Sequence, residues 1–89
     1  MDSIDRKAAK IEAFEFEKNL TGRDNRFNYT SKIITIDGST FEIANSFIIK
    51  SEKRNYIYVF AEHYDTMVFD LDEVDFYHHY KIIPFVEII

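Results

Sequence analysis

The apolar pattern of this chain changes period once, near residue 20, and that change restricts the folds open to it. From Ser3 to Leu20, Ile4, Ala8 and Ile11 recur at helical spacing beside a second row of Ala9, Ala13, Phe16 and Leu20. The two rows predict one helix with a wide apolar face. Ser3 is placed to cap its start, Thr21-Gly22 to stop it, and Asp2 to pair with Arg6 on its wet side. A helix with such a face must lie on something, and the residues that follow supply a sheet.

After a polar link, Arg23 to Arg26, the pattern becomes that of strands. Phe27 to Ile36 and Ser39 to Ile49 are β-rich runs joined by Asp37-Gly38, a strong hairpin signal because both residues of a tight two-residue turn must accept positive φ. Ser51 to Asn55 reads as a charged turn. In Tyr56 to Ala61, Tyr56, Tyr58 and Phe60 alternate with Ile57, Val59 and Ala61, so both faces are apolar and the strand is expected to be central. Glu62 to Asp65 then turns the chain into a further strand, Thr66 to Phe69.

Asp70 has the position of a helix N-cap, with Glu73 as its capping-box partner and Phe69 and Val74 as a hydrophobic staple. Acids at Asp72, Glu73 and Asp75 suit the positive end of a helix, and His78, His79 and Lys81 the negative end. A short helix over Leu71 to Tyr80 is expected. Ile82 to Ile89 would close the chain as a strand, with Pro84 at an edge or as its first paired residue. The expected architecture is therefore α+β, in one domain over 1–89. Its N-terminal helix packs on an antiparallel sheet of about five strands, and a second short helix precedes the last strand, in the order α-β-β-β-β-α-β.

Composition narrows the chemistry. Among the 89 residues there is no Cys, which removes disulfides, zinc-thiolate sites and thiol nucleophiles. The two glycines, Gly22 and Gly38, both sit in turn positions, so no Gly-rich loop cradles phosphate, and no serine occupies a nucleophile-elbow context. Met1 to Lys7 begins with acids and has no apolar run behind it, and the longest apolar stretches are far shorter than the roughly 20 residues that span a bilayer. A cytoplasmic protein that neither enters nor anchors to a membrane is expected.

The net charge of -5 is unevenly spread. Up to Arg54 there are 10 basic residues against 9 acidic ones; from Asn55 onward there is 1 basic residue, Lys81, against 7 acids. Six of those acids, Glu62, Asp65, Asp70, Asp72, Glu73 and Asp75, occur with no Lys or Arg among them. Such a patch repels nucleic acid and attracts a basic surface on a partner.

Three local motifs suggest other chemistry. Met67-Val68-Phe69-Asp70-Leu71-Asp72 resembles the nucleophile segment of haloacid dehalogenase-type phosphatases, in which the first Asp attacks phosphate, the second acts as acid and base, and magnesium lies between them. Here Glu73-Val74 replaces the Gly-Thr pair of that family, and the 17 residues after Asp72 leave no room for its further βα units. The segment therefore reads as a strand followed by a capped helix. Asp75 and His78 fall at the i, i+3 spacing of a helical metal site, with His63 available from a loop. Without Cys or a paired-His motif, these histidines read as partners of a helix terminus, and neither metal nor cofactor is expected. Finally, Arg23, Arg26, Lys53 and Arg54 interleave with aromatics such as Tyr56 and Tyr58, as in β domains that stack single-stranded nucleic acid.

The residues favour a non-enzymatic binding protein that acts by protein-protein contact through Glu62, Asp65, Asp70, Asp72, Glu73 and Asp75. Its expected partner carries a basic surface, and a sharper form makes it an inhibitor or DNA mimic occupying the basic channel of a nucleic-acid-processing enzyme, in the manner of mobile-element anti-restriction or anti-CRISPR proteins. The alternative is a small single-stranded nucleic-acid binder using Arg23, Arg26, Lys53, Arg54, Tyr56 and Tyr58. The terminal strand Phe85 to Ile89 is a further expected contact, between two copies of the chain.

Overall fold

A computed structural model describes residues 3–20 and 25–81. The helix stop at Thr21-Gly22, the Asp2 partner of Arg6, the residue Arg23 and the strand expected over Ile82 to Ile89 lie outside the described residues. The side chain of Arg26 does too.

Helix α1 spans Ile4–Glu17, and the Ser3 hydroxyl accepts the Arg6 N–H at 3.1 Å, as a cap should. Past Glu17 the chain tightens, with Asn19 N–H donating to the Phe16 carbonyl and Leu20 N–H to that of Glu17, so the helical path still reaches Leu20. The wide apolar face does not survive intact. Ala9 and Ala13 are buried and Phe16 and Leu20 pack beside them, whereas Ile4 and Ile11 face solvent. The two alanines let α1 approach the sheet along a narrow seam, which leaves the row of Ile4 and Ile11 uncovered.

Among the described residues six strands follow: β1 (Tyr29–Thr35), β2 (Thr40–Ile43), β3 (Ser46–Lys50), β4 (Tyr56–Ala61), β5 (Met67–Asp70) and β6 (Val74–Lys81). They form two antiparallel three-stranded sheets, ordered β2-β1-β6 and β3-β4-β5. The class is α+β, with two corrections to the expected single sheet and second helix.

The first correction concerns Ser39 to Ile49, which is two strands. Asn45 takes φ 52, a left-handed conformation that Asn tolerates better than most residues, and its carbonyl accepts the Glu62 N–H at 3.0 Å. The chain leaves one sheet at that corner and enters the other. The hairpin before it forms, with Ile33 opposite Phe41, but its turn is not the two-residue kind. Only Gly38 has positive φ, at 89°; its N–H donates to the Thr35 carbonyl, and Thr35 N–H donates to Ser39. That is a type I turn followed by a glycine bulge.

The second correction is the segment after Asp70. Leu71–Glu73 makes a single 3-10 turn, and Val74–Lys81 is a strand paired with β1 from Tyr29↔Lys81 to Thr35↔Val74. Asp70 does cap, accepting the Asp72 N–H at 2.9 Å, but it caps one turn and no helix. The run Phe76-Tyr77-His78-His79-Tyr80 consists of aromatic residues that fit a pleated surface better than a helix, and β1 has an open side to receive it.

The molecule is layered, with the β3-β4-β5 sheet in the middle. Between α1 and that sheet lie Ala9, Ala13, Phe27, Phe47, Tyr56, Tyr58 and Phe60, with the rings of Phe16 and Phe60 stacked 4.9 Å apart. On its other face Ile48, Ile57 and Val59 meet Ile33 of β1, with Phe41, Met67 and Phe69 around them. Central strand β4 is thus buried on both faces, as its alternation predicts, and each such side chain contributes about 1.5–3 kcal/mol. Polar contacts also join the sheets: the Ser46 hydroxyl bonds the Ser31 hydroxyl and the Ile43 carbonyl, each at 2.7 Å, and the Ile48 N–H donates to His79 Nδ1 at 3.0 Å. Among the described residues no helix is long and apolar enough to cross a membrane.

Candidate functional site

Strand β5 ends the middle sheet, and its free side opens into a groove of about 930 Å³. Met67, Val68 and Phe69 form the floor. Ala13 and Phe14 of α1 make one wall, and Ile36 and Phe41 of the β1–β2 hairpin make the other. Phe14 and Ile36 are 56% and 68% exposed, although each is large and apolar. The hairpin is held over the groove by the Ile36 N–H, which donates to the Glu73 carbonyl at 3.0 Å.

Charge is arranged around this apolar interior. Glu17, Asp37, Asp65 and Glu73 line the rim, against Arg6 and Lys10 on the helix wall. Arg6 donates through its guanidinium to the Val68 carbonyl at 3.3 Å, and Thr66 donates through its hydroxyl to Glu17 at 2.9 Å. Both bonds tie α1 to the β5 side. Asp37 bonds the Thr35 hydroxyl and accepts the Ser39 N–H at 3.0 Å. Those bonds, the first above all, hold its carboxyl below the usual range.

The structure sorts the six acids expected to bind a partner into separate places. Asp65 and Glu73 join the groove rim, beside Glu17 and Asp37. Glu62 lies on the β4–β5 turn, its carboxylate 3.9 Å from His63 Nε2. Asp70 and Asp72 gather at the other end of β5, both accepting from the Asn55 amide, at 3.4 and 2.9 Å. Asp75 is exposed near the start of β6.

The residues of the nucleic-acid alternative are placed differently. Tyr56 and Tyr58 are buried against α1, so their rings are not displayed for bases to stack on. Tyr58 donates its hydroxyl to Glu12 at 2.7 Å, and burial first, then that bond, pushes the phenol up to about 12. Glu12 also accepts from the Ser51 hydroxyl, and the Ser51 and Tyr58 bonds hold its carboxyl below the ordinary value of 4.5. Lys53 is exposed and Arg54 half-buried on the same turn, where their charges further favour ionised Glu12.

The histidines do not follow helical spacing either. Asp75 falls at a bulge of β6 and His78 in its regular part, so the helical i, i+3 relation between them is lost, and among the described residues no three His, Asp or Glu side chains are grouped to hold a metal ion.

No protein-family model, curated protein or solved structure matches this chain.

Sequence reasoning missed Phe14, Ile36, Glu17 and Asp37 as site residues. Phe14 stands outside both apolar rows of α1, and Ile36 directly precedes the turn residues Asp37-Gly38. An apolar residue off its helical stripe and another at a hairpin tip were the available signals.

Proposed function

We propose that this chain is a non-enzymatic protein-binding module whose groove takes an extended or helical segment of a partner. The carrying observation is the pairing of Phe14 and Ile36, exposed on opposite walls over an apolar floor, with an acidic rim of Glu17, Asp37, Asp65 and Glu73. Large apolar side chains facing one another across a cleft are what a partner's anchors bury against. The rim then selects anchors flanked by Lys or Arg, because opposite charge steers encounter and disfavours acidic competitors. This is the basic-surfaced partner that the charge distribution calls for.

A narrower form places that segment on a nucleic-acid-processing enzyme, with Glu62, Asp70, Asp72 and Asp75 meeting the basic channel beside it. Its support is that Glu62, Asp72 and Asp75 are exposed, and Asp70 half-buried, around the β5 ends.

A displayed library of short peptides, selected against the full chain, tests the groove. Enriched sequences should carry aromatic or aliphatic anchors next to Lys or Arg. Phe14→Asp with Ile36→Asp should abolish their binding, and Asp65→Lys with Glu73→Lys should weaken it by about tenfold or more. No enrichment, or binding indifferent to these substitutions in variants with wild-type circular dichroism, overturns the reading. Charge reversal at Asp70 and Asp72 separates the narrower form, since groove peptides should not respond to it.

A further inference from the structure

Four strands end the two sheets, and three of them are blunted. Strand β2 has four residues; β5 also has four, and its Val68 carbonyl is engaged by Arg6; β3 has the Ile48 N–H engaged by His79. Strand β6 is the exception. It runs for eight residues, Val74–Lys81, with a bulge at Asp75 between the Thr35↔Val74 and Ile34↔Phe76 pairs, is regular from Phe76 to Lys81, and pairs with β1 on one side only. Among the described residues no neighbour lies on its other side. Its outward face carries Phe76, His78 and Tyr80 as a ladder, with ring centroids 4.8 and 5.1 Å apart, and Phe76 is 42% exposed. A long, aromatic edge with unpaired backbone groups is a template for another strand.

We infer that the free edge of β6 pairs antiparallel with β6 of a second copy of this chain, joining the two β2-β1-β6 sheets into one of six strands. The strand is complementary to itself in one register. With His78 opposite His78 of the other copy on a two-fold axis, Phe76 faces Tyr80 and Tyr77 faces His79 in the regular part of the strand, and Asp75, at the bulge, comes beside Lys81. Each end of the pair then brings opposite charges together, the aromatics stack across the seam, and the side chains from Phe76 to Tyr80 keep their own faces of the sheet. A shift by one residue in either direction sets Asp75 against Tyr80 or against position 82, and loses both charge pairs.

The self-opposed position makes the inference testable by sedimentation of the full chain over a concentration series. Wild type should reach twice the 10.6 kDa chain mass. His78→Lys and His78→Glu, each of which places like charges opposite one another, should each raise the dimer dissociation constant about tenfold or more. An equimolar mixture of the two variants should recover the wild-type constant, because Lys then faces Glu. Asp75→Lys should weaken association, and Asp75→Lys with Lys81→Asp should restore it. A wild-type chain that stays monomeric into the millimolar range overturns the inference. So does a dimer that ignores His78→Lys, or a mixture that fails to recover while both variants keep wild-type circular dichroism. His78 and Lys81 do not line the groove, so the His78 variants report on the dimer separately from Phe14, Ile36 and the rim.

Discussion

The middle sheet, β3-β4-β5, is covered on both faces, by α1 and by the second sheet, whereas β2-β1-β6 is covered on one. The same kinds of residue serve opposite ends in the two. In β4 the aromatics Tyr56, Tyr58 and Phe60 are all buried; in β6 the aromatics Phe76, Tyr77 and His78 are all exposed. Aromatic content alone therefore says little about where the core lies. What separates the strands is position in the sheet, and with it the number of layers that can reach each face.

The largest effect that should follow from this contrast is at Phe60, 1% exposed between Phe16 and Phe47. Phe60→Ala should cost about 3–5 kcal/mol, because the cavity opens between α1 and a sheet that cannot close around it. Urea unfolding with an unchanged slope and a lowered midpoint would record it. A loss of less than about 1 kcal/mol would mean the middle sheet is not the stabilising layer.

Next is Glu12, which joins α1 to β4 through Tyr58 and to the following turn through Ser51. Glu12→Gln should destabilise by about 1.5–3 kcal/mol at neutral pH, the usual worth of hydrogen bonds to a charged group. Because the folded state lowers the Glu12 pKa, its contribution is complete above 4.5 and disappears as pH falls through the depressed value. Wild-type stability should therefore decline more steeply below about pH 5 than that of Glu12→Gln. Tyr58 has the opposite sign: its raised pKa keeps the neutral phenol favourable below 10.0, and that contribution is lost as pH rises through about 12. Ultraviolet titration should show Tyr58 ionising late and moved toward the ordinary value by Glu12→Gln, whereas Tyr80, raised by its bond to Glu42, should not respond to that substitution.

A smaller effect belongs to the half-covered sheet. Gly38 sits at φ 89° with open space around a would-be Cβ, so Gly38→Ala pays only for backbone conformation, about 1–2 kcal/mol. Gly38→Asn should recover part of that loss in thermal melts, because Asn accepts left-handed φ. If crowding governed the site instead, Asn would be the worse of the two. The smallest change should come from Phe76→Ala, less than about 0.5 kcal/mol for the dilute chain, against the severalfold larger loss at Phe60.

What could be read in advance follows the same division. The Ser3 cap, the Asp37-Gly38 hairpin and the two-sided β4 rest on short-range signals, and all three are present. The division of Ser39 to Ile49 at Asn45 carries no Gly or Pro to announce it, so one strand and two look alike in the chain. The Asp70-to-Glu73 pattern is a true cap signature, but a cap determines how a turn begins and not how many turns follow. Pairing with β1, 39 to 52 positions earlier in the chain, decided the rest. The groove was hidden for a related reason: α1, the hairpin tip and β5 each contribute a few residues, and none of the three carries a motif for the cleft they enclose together. Acidity around Asp65 and Glu73 was legible, while Phe14 and Ile36 mattered only once the walls were in place.

The bond from the Ile48 N–H to His79 Nδ1 also furnishes a reporter. Ile48 belongs to one sheet and its acceptor to the other, so this amide proton is shielded only while the sheets remain together. Its hydrogen-exchange rate measures the opening of that seam directly, and its nuclear magnetic resonance frequency will follow any displacement of the His79 ring.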